Sequence, residues 1–219
     1  MEVWLAFYLA FILLVAIHEA GHLLAGMACR FRIKEFRVGC FRWRDGWGLD
    51  WRGMNVVSGR VLMQLTRPDD RLRLRSLMFV AAGPVANLIF AAVLYPIAVH
   101  RSTLGGVAKY LFLANIFLAV VNLFPMKAGQ RRNDGLQIFK TLFDRKGFEA
   151  LRFHIRCQEA APILQELRDK GEWAALKELT ERLLALSADV RAKQDVVKML
   201  NTILLFANGQ LAETAIAAK

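Results

Sequence analysis

Residues 3–27 read VWLAFYLAFILLVAIHEAGHLLAGM, an apolar run broken by a single polar group, His18-Glu19-Ala20-Gly21-His22. As a helix the run is long enough to cross about 30 Å of hydrocarbon. On that helix His18 and His22 project from one face, one turn apart. This spacing lets both imidazoles bind one zinc ion, with Glu19 between them as general base toward water. A carboxylate and two imidazoles within a span are costly unless they face a polar cavity or a metal. The blander alternative satisfies the histidines with neighbouring helices and pairs Glu19 with an arginine. By itself the motif points to a zinc-dependent hydrolase and leaves the substrate open.

The chain has 219 residues, of which 56% are hydrophobic. That share, with a positive mean hydropathy of +0.32, points to a membrane protein. The net charge of +11 raises nucleic acid as a partner, but its distribution argues against one. Residues 1–144 hold +9 of it and residues 145–219 only +2. The excess consists mostly of arginines between two apolar runs, as expected of cytoplasmic loops under the positive-inside rule. Cys29, Cys40 and Cys157 have no C-x-x-C spacing, so neither a disulfide framework nor a cysteine metal site is expected. No basic n-region or small-residue cleavage site accompanies the first apolar run, so it is read as retained.

Outward from the motif, the pattern predicts a mainly α membrane protein. Spans are expected at residues 3–27, 77–99 and 106–124. Gly21 and Gly26 leave room for close helix packing. The stretch from Arg30 to Arg75 is strongly basic and is placed in the cytoplasm, with the N-terminus outside. Within it, residues 33–65 read as a small β segment. Phe41 and Trp43 alternate with Arg42 and Arg44, Asp45-Gly46 signals a turn, and residues 61–63 suit a last strand. Gly48, Gly53 and Ser58-Gly59 are further turn or bulge positions. Trp43, Trp47 and Trp51 fit an interfacial aromatic belt. The segment either lies on lipid headgroups or dips in beside the motif, which requires a protein-lined cavity. Asn87, in Ala82-Gly83-Pro84-Val85-Ala86-Asn87, is expected to hydrogen-bond to a neighbouring helix. His100 reads as interfacial. Pro125 stops the third span, and Asp134-Gly135 opens another helix.

A catalytic zinc site usually has three protein ligands and an open position. Asp134 is the nearest carboxylate able to return to His18 and His22, and Asp144 lies more than two helical turns further on. Taken together, His18-Glu19-Ala20-Gly21-His22, Ala-Gly-Pro-x-x-Asn at 82–87, and Asn-x-x-Pro at 122–125 followed by Asp134-Gly135 resemble the site-2 protease family of intramembrane zinc metalloproteases. The resemblance covers residues 1–144. The common family spacing puts Asp-Gly five residues after the proline, whereas Asp134 is nine after Pro125.

The resemblance implies a three-transmembrane-helix catalytic core that cleaves transmembrane segments of other proteins in the cytoplasmic half of the bilayer. His18, His22 and Asp134 would bind one zinc ion, Glu19 would be catalytic, and Asn122 would help hold the substrate backbone. The β segment would be re-entrant and offer an edge to substrate. The setting implied is a bacterial inner membrane. Residues 145–219 turn amphipathic, with stripes at Leu176, Leu179, Leu183 and Leu186 and at Val196, Val197, Leu200, Ile203 and Leu204. Ser187-Ala188-Asp189 supplies the break between them, and His154 reads as solvated. These residues are expected to form a cytosolic α-helical domain, repeat-like in outline, that meets a regulatory partner or a second copy. The competing reading of the whole is a membrane-anchored scaffold that binds without cutting.

Overall fold

The computed structural model describes residues 2–44, 47–49, 59–100, 102–128, 131–188 and 194–217. They divide into two units, residues 1–65 with 73–142, and residues 66–72 with 143–219.

The first unit begins with α1 (Glu2–Ala28), which covers the expected first span. It ends in a Schellman turn, in which Phe31 N–H donates to Gly26 O and Arg30 N–H to Met27 O, both at 2.9 Å. Arg30 takes the left-handed position at φ 58°, where glycine is usual, so no glycine marks this helix end. The chain then enters β1 (Arg32–Val38), β2 (Phe41–Trp43), β3 (Trp47–Leu49) and β4 (Gly59–Gln64). All pairs are antiparallel, and the order is β3-β2-β1-β4. The expected β segment and its last strand are therefore present. Gly39 at φ 57° makes the β1–β2 turn, a position the alternation pattern alone does not flag. Asp45-Gly46, Trp51, Gly53 and Ser58 lie outside the described residues. Phe36 sits opposite Trp43 and Val61, and Ile33, Phe36 and Trp43 close a pocket with Leu23 of α1. Trp43 is half-buried and lines that pocket.

Helix α2 (Leu72–Ala98) starts ahead of the expected Leu77 because its arginines act as ties. Arg73 donates to Thr141 O and Leu142 O, both at 2.7 Å. Arg75 donates to Cys29 O at 3.3 Å and lies over the Phe31 ring. Carbonyls left open at helix ends thereby gain cationic donors. Helix α3 (Thr103–Leu123) is capped by Ser102, whose hydroxyl accepts from Gly105 N–H at 3.0 Å. Phe124 ends it in an extended conformation, as a residue before proline must. These three helices are long and apolar enough to cross a membrane, and residues such as Leu24, Ile89, Val93 and Phe117 face outward. A two-stranded hairpin follows, β5 (Lys127–Ala128) and β6 (Arg131–Arg132), and then α4 (Asp134–Phe143). The extra residues after Pro125 form this hairpin.

The second unit holds α5 (Arg145–Asp169), α6 (Trp173–Ala188) and α7 (Gln194–Ala217). Asp144 caps α5 by accepting from Gly147 N–H at 2.8 Å. Gly171, at φ 71°, turns the chain from α5 to α6. Phe153, Cys157, Leu164, Leu176, Leu183 and Leu200 form its core, with Leu179, Val196 and Ile203 packed around them. Leu186 is exposed instead. His154 is half-buried and bonds Gln158, which corrects its reading as solvated. Burial raises the Cys157 thiol above its ordinary pKa, so it is an inert core thiol. The linker 66–72 joins this unit because Arg152 holds Pro68 O and the Asp70 carboxylate, at 2.8 and 2.6 Å.

Two substitutions check the packing. A Cβ at Gly21 would run into Ala82 O and Ala86 Cβ, so Gly21→Ala is expected to destabilise by about 1–3 kcal/mol, read by thermal unfolding in detergent. Gly48→Ala, which meets nothing within 4 Å, is the control. Leu200→Ala, at a fully buried core position, is expected to cost about 2–5 kcal/mol by the same measurement.

Candidate metal centre

Residues far apart in the chain meet at the motif. His18 Nε2 and Asp134 Oδ2 are 3.0 Å apart, His22 Nε2 and Asp134 Oδ2 3.3 Å, and the two Nε2 atoms 3.2 Å. All three residues are buried. Ligand atoms set tetrahedrally at zinc-bond length around one ion would stand about 3.3 Å apart, so the spacing suits a metal.

Three further features fit the same group. His22 Nδ1 donates to Phe79 O at 2.8 Å, which orients the ring and leaves Nε2 as a lone-pair donor. His18 Nδ1 is buried with no hydrogen-bond partner among the described residues, which leaves the Nε2 contacts to hold that ring. Gly83 faces both imidazoles, and a Cβ there would strike His22 Nε2 and His18 Nε2. The glycine of the Ala-Gly-Pro stretch therefore keeps space for the group on the α2 side.

Glu19 lies beside the triad and is also buried. Its side chain packs against Gly59, so β4 reaches the motif. Asp134 owes its placement to Asn133, a residue the sequence reading did not single out. The Asn133 amide donates to Val121 O and Phe124 O at 3.1 and 2.5 Å. Its Oδ1 accepts from Met126 N–H and Leu136 N–H, both at 3.0 Å. Asn133 thus serves as the N-cap of α4 and frees the Asp134 carboxylate to face the histidines. The signal was available, since an asparagine directly before a helix start is a common cap.

Asn122 lines the same cavity of about 630 Å³, with Arg60, Arg132, Asn133 and Gln137. Its Nδ2 donates to Leu118 O at 3.1 Å. Asp144 caps α5 and belongs to the other unit. His100 is exposed and lines a separate cavity. Asn87 is fully buried, yet among the described residues neither its Nδ2 nor its Oδ1 has a hydrogen-bond partner, so the expected bond to a neighbouring helix is not seen there.

The chain resembles peptidase family M50. Residues 6–103 match the model of this family, the site-2 protease family named above on its motifs. The match takes in α1, the four-stranded sheet and α2, and ends before Asn122 and Asp134. A Neisseria meningitidis protein whose name assigns it provisionally to the zinc metalloproteases is 31% identical over 111 residues. The alignment covers 43% of this chain and 25% of that protein. The chain therefore spans about a quarter of the length of this relative. No solved structure matches the chain.

Asn133→Ala should release Asp134 and weaken zinc binding by about 10- to 100-fold, the usual effect of losing an outer support of a ligand. Zinc titration of the purified protein with a competing chelator reads this directly, and unchanged affinity would dismiss the role given to Asn133.

Proposed function

We propose that the chain is a zinc-dependent intramembrane endopeptidase acting on transmembrane segments of other proteins. The observation that carries this reading is the meeting of His18, His22 and Asp134 beside Glu19 and the edge strand β4. His18, His22 and Asp134 hold the metal. When bound, zinc supplies a Lewis acid that polarises the peptide carbonyl and acidifies the attacking water. Glu19 takes a proton from that water as it adds to the carbonyl carbon, then delivers it to the departing amine as the C–N bond breaks. The contact with Gly59 holds the Glu19 carboxylate in place for both transfers. Asn122 is positioned along the cavity wall to hold substrate backbone.

A helical substrate segment must unwind before its carbonyls are accessible. In lipid the freed backbone groups need new partners. Among the described residues β4 is paired only with β1, so its outer side is open to an extended segment by strand addition. Its Gly59, Arg60 and Val61 line the cavity, which brings such a segment alongside Glu19. The basic stretch 30–75 favours the cytoplasmic side for the sheet. This orientation puts the N-terminus outside and the cut in the cytoplasmic half of a bacterial inner membrane. The helical tail then lies in the cytoplasm, open to a regulatory partner or a second copy. No observation favours a silent scaffold, which has no use for Glu19 between two histidines.

Glu19→Gln should keep zinc and lower cleavage of a co-expressed membrane substrate by at least about 100-fold. Immunoblotting of fragments with zinc analysis of the same preparation checks both halves. Undiminished cleavage by the variant would remove this reading.

A further inference from the structure

Three neighbouring strands present arginines in a single row. Arg37 on β1 is directly opposite Arg42 on β2 and Arg60 on β4. Strand alternation puts these side chains on the sheet face away from α1. The other face carries Phe36 and Trp43, which close on Leu23, and Gly59, which lies against Glu19. Like charges directly opposite one another on adjacent strands are destabilising. At one end the row is relieved by Glu35, whose carboxylate is 3.8 Å from Arg42. In the middle, Arg37 Nε donates to Gly39 O at 3.4 Å.

The other end has no such relief. Arg60 is exposed, lies on the edge strand and lines the catalytic cavity. Arg132, on the hairpin formed by the extra residues after Pro125, is also exposed and lines the same cavity. Neither guanidinium forms an ion pair with a described residue. The two acids of the cavity, Glu19 and Asp134, are committed to the motif. Arg60 and Arg132, neither paired with a described acid, therefore border the path of any strand added to β4.

We propose that substrate completes the row. A segment laid along β4 places an Asp or Glu side chain opposite Arg60 and toward Arg132, so the protease selects a carboxylate near the scissile peptide and rejects lysine or arginine there. This rests on the function proposed above and adds its specificity. Arginine–carboxylate contacts are charge-assisted and geometrically selective, and a like charge at the same place is repelled. The hairpin contributes the second cation, which gives the extra residues after Pro125 a task in recognition.

The test uses the full chain, zinc-loaded in neutral-lipid vesicles, with model transmembrane substrates carrying Asp, Asn or Lys at successive positions around the cleavage site. At one position kcat/KM should favour Asp over Lys by about tenfold. Arg60→Glu with Arg132→Glu should invert that ratio, and the milder Arg60→Gln should bring it close to one. Equal cleavage of all three substrates by the unaltered enzyme, or an Asp/Lys ratio indifferent to both variants, would overturn the proposal while leaving the protease intact. Cleavage that follows the fraction of anionic lipid through Arg60, and not substrate charge, would also overturn it by giving the row to the membrane. Absence of any Glu19-dependent cleavage would remove the function and this specificity together.

Discussion

Burying two imidazoles and two carboxylates within an apolar helix bundle is the constraint on which the first unit is built. Isolated, such groups would be strongly disfavoured at membrane depth. Brought together, His18, His22 and Asp134 form a buried donor set suited to a divalent ion, with Glu19 beside it. Every nearby element serves that convergence. Gly83 lets α2 come close, Phe79 orients His22, and the end of α3 returns Asp134 from more than a hundred residues away.

The sheet has a double relation to the same site. Its α1-facing side, with Phe36 and Trp43, fastens it to the first helix. Its last strand carries backbone to Glu19 at a glycine, where a side chain would collide with the carboxylate. One strand thus lies against Glu19 with one face and keeps the edge away from β1 unpaired among the described residues. The two roles are compatible because a strand's hydrogen-bonding edges are independent of its side-chain faces.

Much of this was legible in the residues. Hydropathy located the three spans to within a few positions, since apolar length in a bilayer is a strong constraint. The motif and the Asp-Gly pair marked the three groups that meet. Other features were hidden for physical reasons. The start of α2 was missed because Arg73 and Arg75 look like loop charges until their carbonyl partners are known. Asn87 was expected to bond across helices, yet burial without a partner is a property of three-dimensional packing that no single stretch reveals. Asn133 escaped notice because three of its four hydrogen bonds close a loop, and loop closure leaves little periodic trace.

Asn133 has one more consequence. Because its amide ties the end of α3 directly to the start of α4, the residues between Pro125 and Asp134 are looped aside as a hairpin and do not set the spacing of the two helices. Contour length there is decoupled from through-space distance. The loop can grow or shrink while the carboxylate stays at its post, so the rim of the cavity can change without disturbing the groups at its centre.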